Sequence, residues 1–398
     1  IGTIEDPRLQ QTAELLDLLG TDNYSVSDYK AELQKIGTTV SFGSDKNYFR
    51  INVKGFDSYF DQSLNLLLEF MNNVAEDDKK IKILVDNAKT TRKMEKKEPS
   101  TVGRALRDYV NFGKNASTQR RLTVKEVKKI KSKEYIESFK NALKYELNIL
   151  YTGQLSIDDI KSSLINELSL KNAHMASNSP VYLELNEIDK DVIYFIDDKN
   201  AVQSQIYFTV KGNEIDQENR KYATAYNKYF SGGMSSIVFQ EIREFRSLAY
   251  SSWANYFSPW YDDKPGYFIG FVGCQGDKTI EAISVFKDIT HNMPQKSERL
   301  DQVKSSLIKS VNSNRPNFRK FPSMILNWLK QGFSKDPRID NVNYFNSMNF
   351  KDIVNFQEEH IKSKPTVITI LADKKQIDME ELKKYGEIVF LDKKDVLN

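Results

Sequence analysis

The sequence predicts an α+β protein of two homologous domains, each an antiparallel-rich β-sheet with helices packed on one face. Two observations carry this. A helix–helix–hairpin–helix order occurs twice along the chain. The spacing between matching landmarks is also steady. Leu19-Gly20 answers to Phe230-Ser231 and Leu147–Tyr151 to Val367–Leu371, an offset of roughly 210–220 residues, as expected of a duplicated domain. A chain of 398 residues has room for two cores. The expected division is residues 1–170, a linker at 171–190, and residues 191–398.

The first copy opens with a helix over Pro7–Leu19, closed by Gly20. Ser25 or Ser27 caps a second helix reaching Ile36, and Gly37 ends it. Thr38–Phe42 and Tyr48–Val53 alternate as strands around a Gly43-Ser44-Asp45 turn. Helices follow at Asp57–Asn73 and Ala75–Lys97, the latter stopped by Pro99. Thr101–Phe112 and Thr123–Leu143 read as helices, and Glu146–Thr152 as a strand. Ser156 and Asp159 form a capping box for a last helix to about Leu168. The polar Ser177–Pro180 region lies in the linker.

The second copy begins with two strands, Val192–Asp197 and Gln205–Lys211. Helices are expected at Asp216–Phe230 and Ser235–Phe245, then a hairpin of Tyr250–Tyr256 and Tyr267–Val272. Asp277–Asn292, Ser297–Ser313, Phe321–Gly332 and Asn349–His360 read as helices, and Thr366–Ala372 as the closing strand. The first copy has only Ile1-Gly2-Thr3 where the second has its opening strands. Its sheet is therefore expected to be incomplete, as in a chain trimmed or cut from a longer protein.

Charge is high but balanced, 58 basic against 55 acidic residues. A nucleic-acid binder needs a clustered basic excess, so that class is disfavoured. The single cysteine, Cys274, excludes an internal disulfide and a thiolate zinc cluster, and reads as a small core residue. No apolar run is long enough to span a membrane as a helix. His174, His291 and His360 are far apart and none has a His or Cys at helical ligand spacing. No G-x-S-x-G elbow occurs. The chain alone is therefore not expected to catalyse.

The most informative stretch is Ser231–Tyr256. Gly232-Gly233 marks a turn. Ser235 or Ser236 then caps a helix whose Val238, Ile242 and Phe245 fall on one stripe. Arg243 sits near the helix end and Tyr250, seven residues on, near the start of an aromatic strand. The corner between them is placed to bring a guanidinium beside a phenol. On spacing alone the stretch reads equally as a capped amphipathic helix feeding a hairpin, with Arg243 a solvated charge paired to Glu241 or Glu244. The start of the helix at Gly232–Ser236 lacks the lysine of a phosphate loop.

With its glycine turn, arginine-bearing helix and Leu248-Ala249-Tyr250, this stretch resembles the second-half signature of the pitrilysin/insulinase (M16) zinc peptidases. The resemblance implies a fold of the LuxS/MPP-like metallohydrolase type and a C-terminal, zinc-less half. Active M16 halves carry His-x-x-Glu-His on the first helix. The matching places here hold Gln11, Glu14 and Leu15 in the first copy, and Tyr222, Ala225 and Tyr226 in the second. The expectation is therefore no cofactor in this chain and zinc in a partner half, fused or separate. By the same resemblance Arg243 and Tyr250 are catalytic, stabilising the tetrahedral intermediate. Gly232, Gly233, Ser235 and Ser236 contact the peptide substrate. The alternative is an inactive scaffold or interaction subunit of the same fold.

Overall fold

The computed structural model describes residues 1–167 and 179–398. The chain divides into two compact units, one of residues 1–94, 117–182 and 398, the other of residues 95–116 and 183–397. Residues 168–178, which include the end of the helix expected to reach Leu168, much of the expected linker and His174, lie outside the described residues.

The first unit is mainly helical. Strands β1 (Thr39–Ser44) and β2 (Phe49–Lys54) form its one hairpin among the described residues, antiparallel and in register from Thr39 with Lys54 to Ser44 with Phe49. Alternation turns Val40, Phe42, Phe49 and Ile51 towards the core. Phe42 stacks on Phe70 at 5.3 Å and meets Phe139 edge-on at 5.8 Å. The first helix, Leu9–Leu16, packs on this hairpin and on the helix Ser132–Ala142.

Capping chemistry sets the boundaries. Ser25 accepts from the Asp28 N–H and starts the helix Val26–Lys35. The single helix expected over Thr123–Leu143 is two, Val124–Lys129 and Ser132–Ala142. A capping box between Thr123 and Glu126 starts the first, and the Glu134 carboxylate accepts from the Lys131 N–H to restart the second. The strand expected at Glu146–Thr152 does not form. Leu147, Ile149 and Leu150 lie exposed.

The second unit is built on a six-stranded sheet. Its strands are β3 (Val192–Asp197), β4 (Gln203–Ile215), β5 (Ala249–Phe257), β6 (Lys264–Gln275), β7 (Val367–Ala372) and β8 (Glu387–Phe390). Their spatial order is β5-β6-β4-β7-β3-β8. The pairs from β5 to β7 are antiparallel, and β3 runs parallel to both β7 and β8.

Every residue of β7 is buried, as for a strand covered on both faces. Successive residues go to opposite sides. Phe195 and Ile370 join the large core beneath the helices Arg220–Ser231, Thr279–His291 and Phe350–Gln357. Ile196 and Leu371 join a smaller cluster with Val102 and Leu106. The latter two lie on the helix Pro99–Phe112, which packs on β4 and β7. Helices thus occupy both faces of this sheet, not one. That helix is reached from an earlier part of the chain, so local patterning does not assign it to this sheet.

The outer edge of β5 is closed by side chains from the helix Arg220–Ser231. Ser231 Oγ accepts from the Ala254 N–H at 2.8 Å, and Asn227 accepts from the Tyr256 N–H at 2.6 Å while donating to its carbonyl. These groups occupy backbone sites that a foreign strand would otherwise pair with.

Candidate functional site

The site is built where the helix Arg220–Ser231 ends. Gly232 passes so close to the preceding turn that a Cβ there would lie 2.6 Å from the Lys228 carbonyl oxygen. Gly233 has φ of +110°, a backbone that side chains resist. Both positions therefore require glycine. Ser236 is buried, and its Oγ accepts from the Phe239 N–H at 3.4 Å. Of the two expected caps, Ser236 is the one used.

The helix that follows is wound unusually. Phe239–Glu244 is π-helical, with the Phe245 N–H donating to the Gln240 carbonyl. Wider turns advance each residue by a smaller angle. Val238 and Ile242 are buried as the α-helical stripe requires, but Phe245 is 60% exposed. The expected stripe fails at its last member because the winding rotates Phe245 away from the core.

Arg243 lies on the last turn. Its guanidinium carbon stands 4.7 Å from the centre of the Phe239 ring and 6.0 Å from that of Tyr250. The guanidinium forms no ion pair among the described residues. Glu241 is engaged elsewhere, bonded by Arg246 at 2.6 Å and Lys296 at 3.1 Å. Burial acts to raise the Glu241 pKa, but these two cationic donors outweigh it and hold the carboxyl below its usual range. The expected alternative pairing of Arg243 with Glu241 is thus not the one formed.

Tyr250 reaches the same place by a defect in the sheet. Ala249 pairs with Cys274 and Ser251 with Gly273, so Tyr250 is the extra residue of a β-bulge. Just before it, Ser247 takes φ of +49° and lets the chain reverse from helix to strand. The bulge turns the Tyr250 ring outward, where it is 84% exposed. A buried tyrosine filling the core is excluded at this position.

The helix that carries Arg243 also lines, through Gln240, a cleft of about 470 Å³. Gly232, Gly233 and Ser235 line it, with Lys228, Gln240, Arg299 and Gln302. Ser236 does not, being turned inward as the helix cap. Lys228 and Arg299 were not legible as lining residues. The place of Lys228 one turn before Gly232 is a local signal that could have found it, whereas Arg299, at the start of a helix far along the chain, has none.

At the first-helix positions Gln11 and Leu15 are buried and Glu14 faces solvent. Leu15 has no donor atom, and these three residues do not make a zinc site. Ala225 and Tyr226 are buried in the second unit's core. Among the described residues no group of three His, Cys, Asp or Glu side chains is placed to hold a metal ion. His291 bonds the Lys362 carbonyl and the Thr366 hydroxyl, and His360 is buried against Tyr256. No described helix is long and apolar enough to cross a membrane.

Residues 133–307 match the family model described as the peptidase M16 inactive domain. No curated protein shows a significant match. The fold is similar to that of the peptidase M16 inactive domain from Pseudomonas fluorescens, with 14% identity, TM-score 0.72, and coverage of 93% of this chain and 90% of that one. It is similar to the periplasmic protease PqqL from Escherichia coli at 13% identity and TM-score 0.70, covering 94% of this chain and 41% of PqqL. The ferredoxin protease FusC, solved in complex with Arabidopsis ferredoxin, gives 11% identity and TM-score 0.71, covering 92% of this chain and 40% of FusC. This chain therefore spans about two fifths of the length of those two proteases. Residues 133–307 match the M16 inactive domain, and the chain has the α+β fold of the peptidase M16 inactive-domain structure.

Proposed function

We propose that this chain is the zinc-less half of an M16-type endopeptidase. It closes over a peptide held by a zinc-bearing half and supplies Arg243 and Tyr250. The observation that carries the reading is the bulge at Tyr250, which holds a phenol outward within 6.0 Å of an unpaired guanidinium. Such bulges commonly re-aim side chains at functional sites. The coverage of two fifths of PqqL and FusC supports a second half, joined or separate.

Zinc in the partner half would supply Lewis-acid polarisation and an activated water. The work of this chain is donation. As the scissile carbon becomes tetrahedral, charge collects on its oxygen, and a phenol and a guanidinium are suited to bond that oxygen or its neighbour. Gly232, Gly233 and Ser235 let the peptide approach the backbone.

The test uses this chain reconstituted with its zinc-bearing half. Tyr250→Phe removes one hydroxyl and keeps the ring. The expected loss is about 10²–10³ in kcat, the scale for a single oxyanion donor, with much less change in KM. Arg243→Lys keeps the charge but loses the fork geometry, and is expected to impair turnover too. Full turnover by both variants would eliminate the catalytic role and leave an inactive scaffold as the reading.

A further inference from the structure

The cleft beside Arg243 has a one-sided chemistry. Its polar lining consists of two cations, Lys228 and Arg299, with neutral Gln240, Gln302, Ser235 and Ser306. No aspartate or glutamate lines it. The carboxylates nearby are otherwise disposed. Glu241 is held by Arg246 and Lys296, and Glu298 is exposed outside the cleft.

Both cations are positioned but not neutralised. Arg299 is anchored by one bond, its Nη1 donating to the Ser235 carbonyl at 2.6 Å. Lys228 is half-buried, and its stem runs against Gly232, where a Cβ would come within 2.7 Å of the lysine Cδ. Neither forms an ion pair among the described residues. The cleft volume is enough for a side chain and its adjoining backbone.

We infer that this cleft is a carboxylate subsite, taking an Asp or Glu side chain, or the C-terminal carboxylate, of the bound peptide. It rests on the peptide-binding reading of the same surface. One short helix links the cleft to the pair, since Gln240 lines the cleft and Arg243, which reaches Tyr250 on β5, follows on that helix. A peptide crossing the pair therefore presents a nearby residue to Lys228 and Arg299. A carboxylate there gains charge-assisted hydrogen bonds that an amide of equal size does not. With no acid in the lining to repel it, the preference is for negative charge, and it weakens with salt because the cleft is open to solvent.

The experiment measures binding to the full chain, alone and reconstituted with its zinc-bearing half after zinc removal, by calorimetric titration. The probes are three N-acetylated alanine pentapeptides: one with a central Glu and an amidated end, its Gln counterpart, and an all-alanine peptide with a free C-terminal carboxylate. The Glu peptide is expected to bind about tenfold tighter than the Gln peptide, the low end for a charge-assisted bond. Preference for the free-ended peptide instead assigns the subsite to a chain end. Lys228→Gln and Arg299→Gln should each shrink the preference while leaving the thermal midpoint in place. Lys228→Glu should raise the affinity for a matching Lys peptide, a gain that structural damage cannot produce. Equal affinity for all three probes would overturn the carboxylate subsite and leave peptide binding standing. No binding of any peptide by the reconstituted pair would overturn both.

Discussion

The guanidinium of Arg243 rests against the ring of Phe239, one turn earlier on the same helix, at 4.7 Å. The contact joins two half-buried residues. It holds a cation in place without neutralising it, as a salt bridge would. Of the two acids close in sequence, Glu241 is occupied by Arg246 and Lys296, and exposed Glu244 forms no ion pair with Arg243.

Phe239→Leu should therefore loosen Arg243 without unfolding the unit. An exposed cation–π contact is worth about 0.5–1 kcal/mol. The expected result is a fall of about three- to fivefold in kcat/KM of the reconstituted peptidase, with the urea midpoint little changed. Unchanged kinetics would mean that Phe239 does not position Arg243.

Stability should depend on pH through His360. Burial lowers its pKa to about 4, with Lys364 adding to the effect. Exposed Glu359, 3.8 Å away, opposes this, but solvent weakens its pull. The unfolded chain protonates near the ordinary value of about 6.5. Stability is therefore full above that value, falls as pH drops towards 4, and levels off below it. The loss is on the order of 3 kcal/mol. Urea titrations across this range should show the slope, and His360→Gln should flatten it.

Gly270 is a tight point of the large core. A Cβ there would run into the Phe286 ring, itself stacked on Phe208 at 4.4 Å. Overpacking of a rigid aromatic pair costs about 1–3 kcal/mol or more. Gly270→Ala should lower the unfolding free energy from urea titration by that amount, whereas Gly43→Ala, with open space around it, should not through packing.

After dialysis the chain should hold well under one zinc per molecule, because Leu15 offers no ligand atom and Gln11 no imidazole. Elemental analysis checks this. One tightly held zinc per chain would require ligands other than these.

By itself the sequence determined what rests on local chemistry. The Ser25 cap, the β1–β2 hairpin, the core placement of Cys274 and the corner that brings Arg243 beside Tyr250 all follow from short-range pattern and turn residues. Tertiary structure decided the rest. Glu146–Thr152 carries strand-like residues but finds no ladder, since pairing needs a neighbour that local pattern cannot supply. Phe245 fits an α-helical stripe yet is turned out by π winding, which keeps Val238 and Ile242 in the core while the chain swings into β5. Tyr250 became outward-facing only through the bulge opposite Cys274 and Gly273, and bulges have no periodic signature. Arg299 joined the cleft from beyond β5, β6 and the helix Thr279–His291. Period and spacing report which face of an element is apolar. Which elements meet, and with what register, depends on contacts between residues far apart in the chain, and these are settled only when the whole core packs.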